Sequence, residues 1–288
     1  MTALSAPYTL LRRDGETRVS RGAPSRASVE LLPGLAPTTP DRRAGMLRSE
    51  VARLISERRF AVAFQPVTRL ADRWVVSHEA LLRLRPLPGM APPPTRTFVE
   101  VAQDWGLGPA LDEAVLDMAL ATRPPDAACV SVNIGAPSLR DPVFVGHLLT
   151  RVRGEGDGLA IELSGIAQSA DPPPMATIVP ALRAAGVRVV LDDFVPSEIM
   201  LTCLLATRFD EVKFAGALLG EAVDGPRARK LLEALVALAE AAGARAVAKL
   251  VETEAQAALL RTLGIRYAQG WLFGAPVVPA SDRRRATA

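Results

Sequence analysis

Two adjacent carboxylates, Asp192 and Asp193, stand where a short apolar run ends. Residues 187–191 carry one arginine among four apolar residues, which is typical of a strand covered on both faces in a parallel sheet. The acids allow two interpretations at this point. They can be a helix cap or loop pair, because Asp is favoured at N-caps, or they can flank or bridge divalent cations. The pair alone does not decide between them.

Other polar side chains also stand on or just after predicted strands. They are Glu79, Asn133, Glu162, Lys213, Glu252 and Gln269. Three of the 34 basic residues are lysines, namely Lys213, Lys230 and Lys249, and Asn133 is the one asparagine. This scarcity is compatible with retention for a chemical reason, and equally with the base composition of a genome.

Strands alternate with helices from residue 60 onward, which positions these side chains. The predicted strands are 61–67, 74–84, 129–134, 159–163, 187–194, 211–214, 244–251 and 266–273. The predicted helices are 46–58, 98–105, 109–121, 142–152, 175–185, 197–207, 226–242 and 253–263. This order favours an α/β fold, a (β/α)8 TIM-like barrel, over an open doubly wound sheet. A barrel brings polar residues at strand ends to one mouth, whereas an open sheet spreads them along an edge.

Composition predicts three parts of the chain. Residues 1–45 hold seven arginines against four acids, so we expect an Arg/Pro-rich, partly disordered arm. Residues 46–280 are predicted to form the barrel domain, with a proline-rich loop at 86–94, and residues 281–288 a solvated tail. The chain beyond the arm is neutral, which gives no reason to expect a nucleic-acid-binding face.

Several classes of protein are disfavoured by composition. The N-terminus lacks the continuous apolar region of a signal peptide, and no run of 18 apolar residues predicts a membrane span. Cys129 and Cys203 have no metal-site spacing and suit burial in a reduced compartment. We therefore expect a cytoplasmic protein. His78 is predicted to pack on the strand face opposite Glu79, and His147 to lie on a helix surface.

Eight short motifs resemble the EAL family of cyclic di-GMP phosphodiesterases. In this sequence they read Phe64-Gln65-Pro66, Ser77-His-Glu-Ala-Leu-Leu-Arg83, Ser131-Val-Asn133, Ala160-Ile-Glu-Leu163, Leu191-Asp-Asp-Phe194, Val212-Lys213, Val251-Glu-Thr253 and Gln269-Gly-Trp-Leu-Phe273. Each motif is weak alone, but their order and spacing agree from residue 61 to residue 276. The resemblance favours the metal-site interpretation of the acid pair.

The resemblance implies a barrel that binds cyclic di-GMP at its mouth and, in active members, releases linear pGpG with two Mg²⁺ or Mn²⁺ ions. The residues corresponding to first-metal ligands are Glu79, Asn133, Glu162 and Asp192. Asp193 corresponds to a second-metal ligand, with Asp192 bridging, and Lys213 to the lysine that helps position the attacking water. The positions corresponding to nucleotide contacts are Gln65, Glu79, Leu81, Arg83, Asn133, Asp192 and Gln269. Hard cations prefer such carboxylate and amide oxygens.

Three departures from the family pattern bear on catalysis. The family's Glu-Gly-Val-Glu motif begins here with Lys249, and a protonated ammonium cannot ligate a cation. The family's flexible Gly-Thr-Gly-Tyr-Ser loop begins here with Val195 and Pro196, which stiffen it. The glutamate that anchors this loop in the family is Gly165. We therefore hypothesise that Lys249 displaces the second metal by pairing with Asp193, while the first metal site persists.

Three functions remain open from the sequence. The favoured one is a degenerate, catalytically inactive domain that acts in bacterial cyclic di-GMP signalling as a nucleotide receptor or as a regulator of a protein partner. The second is an active, metal-dependent phosphodiesterase. The third is a scaffold barrel that binds a protein partner without nucleotide. Motility, biofilm formation and cell-cycle control are outputs that the resemblance implies for such a domain, and a homodimer is compatible with it.

Overall fold

The molecule is built on a barrel of eight strands, closed in sequence order. A computed structural model describes residues 40–85 and 93–280. The strands are β1 Phe60–Arg69, β2 Val75–Leu84, β3 Val130–Gly135, β4 Leu159–Ser164, β5 Arg188–Phe194, β6 Glu211–Phe214, β7 Arg245–Ala248 and β8 Tyr267–Gln269. The predicted TIM-like barrel is confirmed, and the open-sheet alternative is wrong.

Strand β1 differs from the others in direction. It is antiparallel to both of its neighbours, β2 and β8, while every other neighbouring pair is parallel. A tight connection at residues 70–74 joins β1 to β2, so the helical crossovers begin after β2. The carboxyl ends of β2 to β8 therefore share one end of the barrel, which is where TIM barrels carry their sites.

Ten α-helices lie within the described residues. They are α1 Pro40–Ser56, α2 Thr95–Asp104, α3 Gly108–Thr122, α4 Ala136–Leu139, α5 Pro142–Arg151, α6 Met175–Ala184, α7 Glu198–Ala206, α8 Gly216–Asp224, α9 Pro226–Ala241 and α10 Glu254–Thr262. The eight predicted helices are present. The sequence pattern missed α4 and α8, because α4 has four residues and α8 contains two glycines that weaken its helical signal.

The last two strands are shorter than predicted. Leu250 adopts a φ of +58°, so the extended backbone of β7 cannot continue to residue 251. Strand β8 ends before Gly270, whose bare α-carbon lies against Val251. A Cβ at Gly270 would come 2.1 Å from the Val251 carbonyl oxygen. The chain then turns, and the Leu272 amide donates a hydrogen bond to that oxygen at 3.1 Å.

The main apolar core lies between the sheet and the surrounding helices. Outward-facing strand residues such as Ile134, Ile161 and Val189 are fully buried there. Both cysteines are buried, as predicted. His147 is exposed on α5, and His78 is half-buried, with a pKa lowered by burial.

Some predictions lie outside the described residues. These are most of the N-terminal arm (1–39), most of the proline-rich loop (86–92) and the tail (281–288). Helix α1 begins at Pro40, six residues before the predicted start at residue 46. The domain boundaries themselves stay predictions. Among the described helices, none has the length and apolar character needed to cross a bilayer.

Candidate functional site

Four buried polar side chains form a layer inside the barrel. Its members come from the even-numbered strands and are Glu79 of β2, Glu162 of β4, Lys213 of β6 and Gln269 of β8. All are at most 4% exposed. In TIM barrels such layers, drawn from alternate strands, are usually filled by branched apolar residues. A buried polar layer is therefore unusual for this fold and indicates a chemical role.

Lys213 joins the members of this layer. Its Nζ donates hydrogen bonds to Glu79 Oε2 at 2.8 Å, to Glu162 Oε1, and to Gln269 Oε1 at 3.4 Å. The second carboxylate oxygen of Glu162, Oε2, is buried and has no hydrogen-bond partner among the described residues. One oxygen in the layer is thus left free to accept a proton or to bind a cation.

The odd-numbered strands add a second set of polar residues. Asn133 of β3 donates from Nδ2 to Glu79 Oε1 at 2.8 Å. Gln65 of β1 pairs in register with Glu79. Its Oε1 accepts a hydrogen bond from Gln269 Nε2 at 3.0 Å, and its Nε2 donates to the Gly274 carbonyl at 3.1 Å. Gln65, Glu79, Asn133, Glu162, Lys213 and Gln269 therefore form one hydrogen-bonded network.

The acid pair is presented by an irregularity at the end of β5. The β5–β6 register shifts between Leu191 and Phe194, and Asp193 adopts a φ of +48°. Successive residues of a regular strand point to opposite faces, but a bulge can redirect a side chain. Both aspartates consequently reach the same ammonium. Lys249 Nζ lies 2.9 and 3.1 Å from the two oxygens of Asp192, and 2.8 Å from Asp193 Oδ1.

Burial and charge set the protonation of the two glutamates in opposite directions. Burial alone would raise the pKa of Glu79, but the charges of Lys213 and Lys249 outweigh it and lower that pKa to about 2. Burial raises the pKa of Glu162 to about 8, and the negative charge of Glu79 adds to the effect. Burial and the charge of Glu79 thus favour the protonated form of the Glu162 carboxyl, whereas the ammonium of Lys213 opposes it.

Both lysines remain charged. Burial would lower the pKa of Lys249, but Asp192, Glu79 and Asp193 raise it above its ordinary value. The pKa of Lys213 is raised in the same way by Glu162 and Glu79. Each lysine nitrogen is surrounded by three acceptor oxygens, which matches the three N–H donors of an ammonium group.

Two predicted nucleotide-contacting residues lie on β2 beyond Glu79. Leu81 and Arg83 follow Glu79 at intervals of two, so they share its face of the strand. Both are half-buried, and Arg83 Nη1 donates to the Leu82 carbonyl at 2.8 Å. The structure thus places them along the strand that carries Glu79.

The structure describes both loop regions where a departure from the family pattern is predicted. Gly165 directly follows β4 with a φ of +71°, which L side chains rarely adopt, and it is exposed. The connection from β5 to α7 is short, because Ser197 already caps α7 by accepting from the Met200 amide at 3.4 Å.

A buried carboxylate on α3 was missed by the sequence analysis. Asp112 on α3 is 8% exposed and accepts a hydrogen bond from the Gly135 amide at 2.9 Å. Burial raises its pKa to about 6. The available signal was an acid on the same helical face as Val115 and Ala119, where an apolar residue is expected.

The fit to metal ions differs between the two predicted sites. Among residues 40–85 and 93–280, no three His, Cys, Asp or Glu side chains form a cluster that could hold a metal ion. The first predicted site nevertheless retains the appropriate oxygen donors, including the unpartnered Glu162 Oε2. The second does not fit, because the Lys249 ammonium lies against Asp192 and Asp193 where an ion would have to bind.

Comparison with known proteins matches residues 48–276 to the EAL domain model. The chain belongs to the EAL domain family. This EAL domain is 34% identical to the uncharacterized protein Rv1357c of Mycobacterium tuberculosis over 233 residues, covering 74% of each chain. It is 28% identical to the probable cyclic di-GMP phosphodiesterase PdeB of Escherichia coli over 236 residues, covering 79% of this chain and 44% of PdeB.

Solved structures agree with the family assignment. The PaMucR phosphodiesterase in complex with c-di-GMP superposes with a TM-score of 0.70 at 26% identity, over 82% of this chain and 99% of that one. The predicted family is therefore confirmed, together with the fold. The roles assigned to individual residues stay predictions.

Proposed function

We propose that this EAL domain is a cyclic di-GMP receptor in bacterial signalling that has lost phosphodiesterase turnover. The observation that supports the proposal most directly is the position of Lys249. Its ammonium bonds to both members of the Asp192–Asp193 pair, and so stands in for the second cation that the resemblance predicts. A metal ion activates water and neutralises developing charge, so losing one removes several kcal/mol of transition-state stabilisation.

Charge supports one remaining metal site. Glu79, Glu162, Asp192 and Asp193 carry four negative charges when ionised, and Lys213 and Lys249 carry two positive ones. The resulting formal charge of −2 is matched by one divalent cation. With a glutamate in place of Lys249, the same site would carry −4 and would be matched by two cations. Glu79, Asn133, Glu162 and Asp192 would hold the single ion, which would supply positive charge for a phosphate.

Nucleotide binding is supported by what the departures leave intact. Gln65 and Gln269 are held by hydrogen bonds at the mouth, and Leu81 and Arg83 share the strand face of Glu79. An arginine that is half-buried beside the site suits recognition of a phosphate or a guanine edge. Several structural neighbours are described as bound to c-di-GMP, including the PaMucR phosphodiesterase.

The test separates binding from turnover. The purified protein is incubated with cyclic di-GMP and Mn²⁺ or Mg²⁺, and pGpG is sought by chromatography, while titration calorimetry measures binding. We expect binding heat and no pGpG above a protein-free control. Clear pGpG production would contradict the loss of turnover. Absence of binding heat at high nucleotide concentration would contradict the receptor and favour a scaffold that binds a protein partner.

Active phosphodiesterase is the second candidate, and one observation favours it. Lys213 lies between Glu79 and Glu162 in an intact buried layer, so the residues predicted to hold the first ion and to position water are all present. Turnover in the same assay would establish this alternative.

A further inference from the structure

The pairing of strand β3 with β2 ends just before Asn133. Its pairing with β2 runs from His78↔Val130 to Ala80↔Val132 and stops there. Its pairing with β4 continues three residues further, to Gly135↔Ser164. Residues 133–135 therefore pair with β4 on one side and are not paired with β2 on the other. The backbone groups on the other side need partners, because buried amides without acceptors are unfavourable.

Asp112 of α3 supplies one such partner. Its Oδ2 accepts from the Gly135 amide at 2.9 Å, and the carboxylate is buried between the helix and the strand end. The Gln103 side chain also lies against this strand end, since a Cβ at Gly135 would come 2.6 Å from Gln103 Nε2. The contact with Asp112 fixes the backbone two residues beyond Asn133.

We propose that Asp112 is a positioning residue that holds the end of β3 so that the Asn133 amide is directed at Glu79. The Asn133 Nδ2–Glu79 Oε1 hydrogen bond, 2.8 Å long, depends on where the β3 backbone ends. On that side β2 no longer constrains the backbone, so the carboxylate of Asp112 takes the place of the missing strand. The acceptor atom, rather than the negative charge, is what this role requires.

The single asparagine makes this testable without metal or nucleotide. Protein labelled with ¹⁵N-asparagine gives one side-chain amide pair in an NMR spectrum, that of Asn133. In Asp112→Leu, which removes the acceptor, we expect that pair to move toward its unstructured position and its hydrogen exchange to accelerate about 10-fold or more. In Asp112→Asn, which keeps an acceptor oxygen, the Asn133 pair should persist while the new asparagine adds a second pair.

The matched control is Glu113→Gln, on the same helix but exposed, which should leave the Asn133 signals unchanged. Unchanged shifts and exchange in a folded Asp112→Leu protein would overturn the proposal. If that variant does not fold, exchange of the Gly135 amide in the wild-type protein decides. Protection of about 100-fold or more over an unstructured chain supports the contact, and unprotected exchange refutes it. Both outcomes are independent of the proposed receptor function.

Discussion

At the scale of single residues, Lys249 has the largest chemical consequence. It stands where the resemblance predicts an acid. Burial would lower the pKa of its ammonium, but the charges of Asp192, Glu79 and Asp193 outweigh burial and raise that pKa. Its side chain is 19% exposed, so the ion pair with the 5% exposed Asp192 is shielded from water. An ion pair in that position is screened little by salt and persists at neutral pH.

The number of metal ions bound per chain should depend on which residue occupies position 249. We expect the wild-type protein to bind one Mn²⁺ per chain and Lys249→Glu to bind two, because the substitution changes the formal charge of the site by −2. Equilibrium dialysis with metal analysis measures the stoichiometry. Lys230→Glu, the same change at an exposed lysine of α9, should remain at one ion. Equal stoichiometry in the wild type and Lys249→Glu would contradict the assignment.

Asp112 predicts a pH dependence of stability. Its folded-state pKa of about 6 lies above the reference value of 3.8. The protonated carboxyl therefore contributes stability that is fully present below pH 3.8 and is lost as pH rises through 6. Asp112→Asn does not titrate there. The free energy of unfolding of this variant relative to wild type should therefore increase by about 3 kcal/mol between pH 3 and pH 7.5.

Urea denaturation across that pH range measures the difference, with Glu113→Gln as the exposed control. A constant difference between Asp112→Asn and the wild type would show that the Asp112 carboxyl is not destabilised by burial. Acid unfolding of the remaining chain affects both proteins, so the comparison depends on the difference alone.

At the scale of elements, the close contact of β8 with the segment after β7 defines the mouth. Gly270 lies on the Val251 backbone, and the Val251 amide donates to the Gln269 carbonyl at 3.0 Å. This contact holds Gln269 beside Lys213 and sets the turn that follows Lys249. A side chain at residue 270 would force the two segments apart, because rigid backbone rather than a flexible side chain stands in its way.

Two glycine-to-alanine variants should therefore change stability in opposite directions. Gly270→Ala should lower the free energy of unfolding by about 3 kcal/mol or more, since the new Cβ would lie 2.1 Å from Val251 O. Gly146→Ala, in α5 with nothing within 4 Å, should raise it by about 0.5–1 kcal/mol. Denaturant titration compares them. A loss below about 1 kcal/mol for Gly270→Ala would mean that the segments separate easily.

At the scale of the whole molecule, the polar layer ties opposite sides of the barrel together. Lys213 on β6 bonds to Glu79 on β2, Glu162 on β4 and Gln269 on β8, so one ammonium connects all the even-numbered strands. Removing one partner of a buried ion pair leaves uncompensated charge in a low-dielectric interior. Loss of one partner of this network should therefore destabilise the barrel.

Lys213→Met should destabilise the protein by about 3–5 kcal/mol, because Glu79 and Glu162 would lose their shared cation. Lys230→Met, at an exposed lysine, should change stability by no more than about 0.5 kcal/mol. Urea denaturation at pH 7 measures both. A Lys213→Met protein as stable as its parent would mean that proton uptake by the two glutamates fully compensates for the lost ammonium.

Much of the architecture could be predicted because its signals are local. Apolar periodicity located all eight strands and eight of the helices, and the motifs placed Glu79, Asn133, Glu162 and Lys213 at one mouth. The boundaries after β7 and β8 were missed, since they depend on the contact between Gly270 and Val251. The bulge that turns Asp193 toward Lys249 was missed as well, because a backbone angle of this kind is set by neighbouring strands.

Residue types and their order were enough to predict the EAL family and the barrel, because these signals are local. The departures predicted at Lys249, Val195, Pro196 and Gly165 stay predictions. The contacts between side chains came from the fold: Lys249 bonds to both aspartates, Lys213 connects four strands, and Asp112 accepts a hydrogen bond from the Gly135 amide at the end of β3. Those contacts join residues far apart in the chain, and burial there sets their charges. Distance and desolvation are properties of the fold, which no stretch of sequence specifies alone.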